Sequence, residues 1–217
     1  MTEPLITIVD DDEPVRDSLS LFLSLRGFQT RMFASGEDCL AAWQPEWRGC
    51  LLLDLRMSGM DGLALQRALA ERGSTLPIIF LTGHGNLHHA RTALRDGALD
   101  FLTKPYSEES LLHAIEEALD QDRRQHARQS RVENLNTRLE RLSARERQVL
   151  DGVLDGKPNR VMAAELGISP RTVEVFKARM MEKMRARNVP ELVRLWVEAG
   201  QDARSSVPRL DKRSSDT

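Results

Sequence analysis

The feature that most constrains this chain is an alternation, repeated five times within the first 120 residues, between short apolar runs and amphipathic stretches. The runs are "LITIV", "FQTRMF", "CLLLD", "PIIFL" and "LDFL". Between and after them come "VRDSLSLFLSLRG", "GEDCLAAW", "DGLALQRALAER", "LHHARTALRDG" and "EESLLHAIEEAL". A strand that is apolar at consecutive positions must be covered on both faces, and a helix after each strand supplies that cover through parallel crossovers. Residues 4–120 are therefore expected to form a doubly wound α/β domain with five parallel strands. With 217 residues and 41% hydrophobic content, the chain can supply a second core as well.

Charge separates along the sequence. Residues 1–120 carry 10 Lys/Arg against 19 Asp/Glu, whereas 121–217 carry 21 against 14, although the whole chain is only −2. A basic half can neutralise phosphates and release their counterions, and an acidic half repels nucleic acid, so any DNA contact is expected C-terminally. A merely solvated surface accounts for the charges but not for their segregation. Cys39 and Cys50 show neither metal-ligand spacing nor a disulfide framework, which suits a reducing cytoplasm. The start, "MTEPLITIVDDDE", has no basic region and its apolar run stops at acids, so neither a signal peptide nor a membrane span is expected.

Residues 121–138 lack Pro and Gly and read as a helical linker. Val132, Leu135, Leu139 and Leu142 follow at 3, 4, 3 spacing, compatible either with a coiled-coil dimer contact or with docking onto the next domain. Residues 139–200 then read as a small helical domain. Ser143 and Glu146 form a capping-box pattern, Gly156 ends the first helix, and Pro158 opens a short one to Leu166. Gly167 breaks that, Ser169 and Pro170 start another to about Arg185, and Pro190 starts the last. The tail, 201–217, reads as disordered.

In an open α/β sheet, ligands meet the carboxyl ends of the strands beside the point where strand order reverses. There the sequence places Asp10 and Asp11 after the first run, Asp54 after the third, Thr82 after the fourth and Lys104 after the fifth. Taken singly, these residues could be helix-terminal charges, a strand residue and a surface lysine. Their coincidence at successive strand ends points instead to chemistry. Clustered carboxylates repel unless a hard cation neutralises them, and oxygen-only ligation suits Mg²⁺. A carboxylate such as Asp54 can then attack phosphorus, with the cation and Lys104 stabilising the oxygens of the transferred group.

Over about residues 4–120 the motifs "IVDDDEPVR", "LLLDLRMSGMDG", "FLTGHGN" and "GALDFLTKPY" resemble the receiver domain of response regulators, specifically the FixJ/NarL group, whose fold is flavodoxin-like. The resemblance implies that Asp54 is phosphorylated, that Asp10 and Asp11 are the acidic pair, and that Asp11, Asp54 and the Arg56 carbonyl ligate Mg²⁺. Lys104 would hold the phosphoryl oxygens, Thr82 would move its hydroxyl toward them, and Phe101 would swing into the vacated space. A cis Lys104–Pro105 bond is expected on the same ground. Ser58 stands where Pro is common, Asn86 where Asp is common, His88 and His89 where Pro and Met are common, and Tyr106 where Phe is common. Adjacent histidines on a helix diverge by about 100°, so His84, His88 and His89 read as solvated side chains rather than a metal site.

In the basic half, Ala163, Gly167 and Val173 stand at offsets of four and six, which suits two helices crossing at a small residue and a turn glycine. Val173, Phe176, Met180 and Met184 make one apolar stripe. The opposite face carries Arg171, Val175, Ala178 and Glu182, flanked by Glu174, Arg179 and Arg185. Val175 and Ala178 can approach thymine methyls, Arg171, Lys177 and Arg179 can reach phosphates or guanines, and Thr172 with the helix start can hold a phosphate. Residues 139–200, including "LSARERQVLDGVLDGKPNRVMAAELGISPRTVEVFKARMMEKM", resemble the four-helix LuxR-type helix-turn-helix domain. That likeness implies DNA contacts at Asn159, Arg160, Ser169, Arg171, Thr172, Glu174, Val175, Lys177, Ala178 and Arg179, and a dimer contact through Leu192, Val193 and Trp196.

The expectation is a cytoplasmic transcription factor rather than an enzyme. A cognate sensor histidine kinase would phosphorylate Asp54, the receivers would dimerise through the fourth helix and fifth strand, and the basic domains would engage promoter DNA and RNA polymerase, with activation expected. A flavodoxin-like cofactor protein would need a glycine- and hydroxyl-rich loop where Asp10–Asp12 stand. A phosphohydrolase would want a second acid where Arg56 stands.

Overall fold

In the computed structural model, which describes residues 4–83 and 95–198, side chains along each central strand point alternately into two different cores. The strands are β1 (Leu5–Val9), β2 (Thr30–Phe33), β3 (Gly49–Asp54), β4 (Ile78–Thr82) and β5 (Asp100–Thr103). All pairings are parallel, in the order β2-β1-β3-β4-β5. The helices are α1 (Glu13–Ser24), α2 (Gly36–Ala42), α3 (Gly62–Glu71), α4 (Glu108–Glu140), α5 (Ala144–Leu154), α6 (Asn159–Leu166), α7 (Pro170–Met184) and α8 (Val189–Glu198). The stretch read as a helix after the fourth run falls largely on residues 84–94, and the tail on 199–217, both outside the described residues.

Ile6, Ile8, Cys50, Leu52, Ile79 and Leu81 pack with Leu19 and Leu23 of α1 and with Leu111 and Ile115 of α4. The intervening Val9, Leu51, Leu53, Ile78 and Phe80 pack with Cys39 of α2 and with Leu65 and Leu69 of α3 on the other face. That two-sided cover is why the runs in β3 and β4 are unbroken by polar residues. Cys39 and Cys50 are buried free thiols, and burial pushes each up to about 12, which leaves them inert as nucleophiles at neutral pH.

The chain divides into two units after Gln125. Within the first, Arg48 grips the buried Asp122 of α4 with Nε and Nη2, at 3.0 and 2.7 Å from Oδ2, anchoring α4 beside the entry to β3. Within the second, Leu135 and Leu139 of α4 are buried against Val149, Leu150, Val173 and Met184, with Val132 and Leu142 packed alongside. Their seam thus docks onto the helices that follow. Ser143 caps α5, and the capping box with Glu146 is complete. Glu146 also pairs with Lys183 of α7 at 2.6 Å, and that hydrogen bond holds its carboxyl below the usual range. Among the described residues no helix is long and apolar enough to cross a membrane.

Replacing Arg48 by Ala strands a buried carboxylate and should destabilise the first unit by about 3 kcal/mol in urea unfolding. An Arg48→Met, Asp122→Leu double variant should recover most of the loss. A single variant as stable as wild type would show that the pair does not anchor α4.

Candidate functional site

Asp10 directly follows β1 and Asp54 is the last residue of β3. These strands are neighbours with Val9 opposite Leu53, so the two carboxylates are adjacent where strand order reverses. Lys104 follows β5, two strands further on, about 10 Å across the sheet from β3. Its backbone N–H donates to the Thr82 carbonyl at 2.7 Å, which fixes its stem at the end of β4. The long side chain then brings Nζ to 2.9 Å from Asp10 Oδ2 and 3.1 Å from Asp54 Oδ1. The Lys104–Pro105 peptide is cis.

The remaining carboxylate oxygens are also occupied. Asp10 Oδ1 accepts the Asp12 N–H at 3.0 Å, and Asp54 Oδ2 accepts the Arg56 N–H at 2.7 Å. Arg16 Nη1 donates to the Asp10 carbonyl at 2.7 Å. Burial raises the Asp54 carboxyl above its ordinary range against the pull of Lys104, and the Asp10 charge adds to the rise. Burial opposes the charge on Lys104, but the hydrogen bonds and charges of Asp10 and Asp54 outweigh it and raise its pKa.

Asp11 has different hydrogen-bond partners from the other two acids. Its Oδ2 accepts both the N–H and the hydroxyl of Ser58, at 2.9 and 3.0 Å, and the backbone N–H above all holds its carboxyl below the usual value. Among the described residues, no three acidic, histidine or cysteine side chains are close enough together to enclose a metal ion. The donor chemistry nevertheless suits a hard cation: three carboxylates follow or end neighbouring strands at an edge that holds the Lys104 ammonium. The Arg56 backbone is beside Asp54 through its N–H. Thr82 is buried at the end of β4, and Phe101 is half-buried with its ring centroid 6.4 Å from that of Phe80.

Some of the site's supports carry little signal in the sequence. Gly62 lets α3 begin against the end of β3, since a Cβ there would come within 2.4 Å of the Asp54 carbonyl. Asp61 caps that helix through the Ala64 N–H. An Asp-Gly pair ahead of an apolar helical pattern is a readable signal for this start. The role of Ser58 as a double donor had no signal beyond its departure from Pro. Asn86, His84, His88 and His89 lie outside the described residues.

In the second unit α6 and α7 form the helix-turn-helix. Gly167 takes the left-handed conformation at φ 66°, and Ser169 caps α7 by accepting the Thr172 N–H. Val173, Met180 and Met184 are buried, and Phe176 packs partly against the same core. Arg160, Ser169, Arg171, Glu174, Val175, Ala178 and Arg179 are exposed, while Asn159, Thr172 and Lys177 are half-buried. The Thr172 hydroxyl is engaged with Ser169 Oγ at 2.8 Å. Val161 and Val175 are apolar side chains exposed on this unit, at 43% and 45%. The expected dimer residues divide. Leu192 is wholly buried in the unit's own core, which corrects its placement at a contact surface, and Trp196 packs partly against that core. Val193 is exposed, as is Val197 at 68%, a residue that no sequence pattern singles out.

Residues 6–116 match the response regulator receiver domain family, and residues 140–196 match the bacterial regulatory proteins of the luxR family. The chain is 42% identical to the transcriptional regulatory protein FixJ of Rhizobium meliloti, over 92% of this chain and 98% of that one. It is 43% identical to the response regulator protein TmoT of Ectopseudomonas mendocina, over 89% of this chain and 88% of that one. A solved structure of the response regulator StyR is similar at 38% identity and a TM-score of 0.82, covering 90% of this chain and 98% of that one.

Replacing Lys104 by Met removes the cation that holds Asp54 down. The Asp54 carboxyl should then titrate at a higher pH than in the wild type, read by carbon NMR of the aspartate side chains. Lys104, raised in the fold, stabilises the native state fully below about 10.5 and loses that contribution as pH climbs through its folded value. The variant should lack that alkaline loss. An unmoved Asp54 titration would show that the two groups do not share charge.

Proposed function

The chain belongs to the response regulators that join a receiver domain to a LuxR-type DNA-binding domain and regulate transcription, and on that premise we propose that Asp54 is its phosphoacceptor, charged by a sensor histidine kinase in a Mg²⁺-dependent reaction. The observation that carries this reading is Lys104 Nζ set between Asp10 and Asp54 at the sheet edge. In the reaction an Asp54 oxygen bonds to the phosphorus of the donor phosphohistidine as the phosphorus–nitrogen bond breaks, giving an acyl phosphate. Lys104 remains beside the acceptor and offers its ammonium to the arriving oxygens. Asp10, Asp11, Asp54 and the Arg56 carbonyl would hold Mg²⁺, which when bound neutralises phosphoryl charge. Thr82 and Phe101 would then rearrange to report the phosphoryl group at the surface.

The chemistry of the surface beside the acids suits an approaching kinase. A cavity of about 410 Å³ between α1 and the start of α4 is lined by Val15, Leu19, Phe22 and Tyr106, and Lys104 also lines it. Pro14 and Ser18 line it as well, and beyond them lie Leu21 on α1 and Leu25 just past its end, 62% and 77% exposed. A helix of the kinase laid on this apolar surface would bring a phosphohistidine to the acidic edge.

Phosphorylation would favour dimers, and paired basic domains would bind promoter DNA in the cytoplasm and recruit RNA polymerase. In that complex the exposed face of α7 would lie in the major groove. Arg171, Lys177 and Arg179 would meet phosphates or guanines, Val175 and Ala178 thymine methyls, and Asn159, Arg160, Ser169, Thr172 and Glu174 the flanking backbone and bases. Val193 and Val197 supply exposed apolar area on α8 for a contact between copies. The direction of regulation that fits the family likeness is activation.

Asp54→Asn should take up no phosphoryl group from a small phosphodonor with Mg²⁺, whereas the wild type gains one by intact mass. Unchanged uptake would refute the assignment. Arg179→Ala should weaken DNA binding at all sequences and lower the slope of log affinity against log salt by about 0.9 for each phosphate it ceases to neutralise. An unchanged slope would remove Arg179 from the interface.

A further inference from the structure

Asp10 and Asp54 share one ammonium, but Asp11 gives a single oxygen to two donors of one residue, the N–H and the hydroxyl of Ser58. The loop that carries Ser58 is fixed from another side. Glu37 of α2 accepts the Met60 N–H at 2.8 Å, and Gly59, at φ 77°, packs so close to Glu37 that a Cβ would lie 2.6 Å from Oε1. Ser58 is therefore tied to a loop anchored on α2, and its two donors are not free to follow Asp11 toward the other acids. Asp10 and Asp54 thus take their side-chain partner from Lys104, whereas Asp11 takes both of its hydrogen bonds from Ser58.

We propose that Ser58 is a positioning residue that holds the Asp11 carboxylate through Oδ2, so that a divalent cation taking up that oxygen competes with both Ser58 hydrogen bonds. This rests on the reading of the acidic edge as a Mg²⁺ site. Whatever the Asp11–Ser58 arrangement contributes to the metal-free protein is given up on binding, and the apparent affinity is lowered by that factor. Ser58 thus sets the Mg²⁺ concentration at which the acceptor site assembles. A residue without a hydroxyl at this position would free one bond, and a proline would free both.

The test is a calorimetric titration of magnesium chloride into the full-length, unphosphorylated chain. Ser58→Ala should bind Mg²⁺ roughly three- to tenfold more tightly than wild type, the range expected for one lost hydrogen bond. Ser58→Pro should gain about tenfold or more, and Ser58→Thr, which keeps both donors, should match wild type. Circular dichroism checks that each variant is folded, and if Ser58→Pro is not, Ser58→Ala decides alone. Equal or weaker Mg²⁺ binding by Ser58→Ala would overturn the proposal while leaving the metal site standing. If wild type and Asp11→Asn give the same titration, the site does not use Asp11, and the underlying reading falls together with the proposal.

Discussion

Two like charges at the ends of neighbouring strands are tolerable only because a third strand delivers an opposite one. Asp10 and Asp54 are brought together by the parallel pairing of β1 with β3, and Lys104 reaches both from beyond β5. The sheet order sets the distances, and the length of a lysine stem matches the gap across β4. Withdrawal from water at that edge raises the pKa of Asp54, and Lys104 offsets the rise only in part. An acid at such an edge is under tension: it would have to be ionised to act as a nucleophile, yet burial and the neighbouring Asp10 charge both disfavour its ionised form.

The surroundings of the edge are built to keep it in place. Arg16 holds the Asp10 carbonyl, Gly62 allows α3 to start against Asp54, and Glu37 fixes the loop between them. None of these residues is an acid of the site. They act on backbone atoms rather than on the carboxylates themselves.

The basic unit follows a different physical logic. Its core is made by one stripe of α7 with α5, α6, α8 and the end of α4, and whatever that core does not consume is left facing out. On α7 the leftover face carries Arg171, Val175, Ala178 and Arg179, a mixture of cations and small apolar groups suited to a groove lined by phosphates and methyls. On α8 Leu192 lies in the core, while Val193 and Val197 are exposed.

Periodicity and charge in the sequence determined the alternating α/β architecture, the capped helices from Ser143 onward, the separation of an acidic from a basic half, and the chain positions of Asp10, Asp54, Thr82 and Lys104. These were legible because each depends on local pattern: apolar residues at period 2 or 3.6, a cap beside its helix, an acid where a strand must end. Tertiary structure alone decided that Asp11 rests on Ser58, that Leu192 faces inward, and that the Val132–Leu142 seam docks on its own unit. Each of those outcomes is a choice between neighbours of similar chemistry. Asp11 is 47 residues from Ser58, and both Leu192 and Val193 are apolar residues on α8. Only the packing of distant segments, which no local pattern encodes, selects among them.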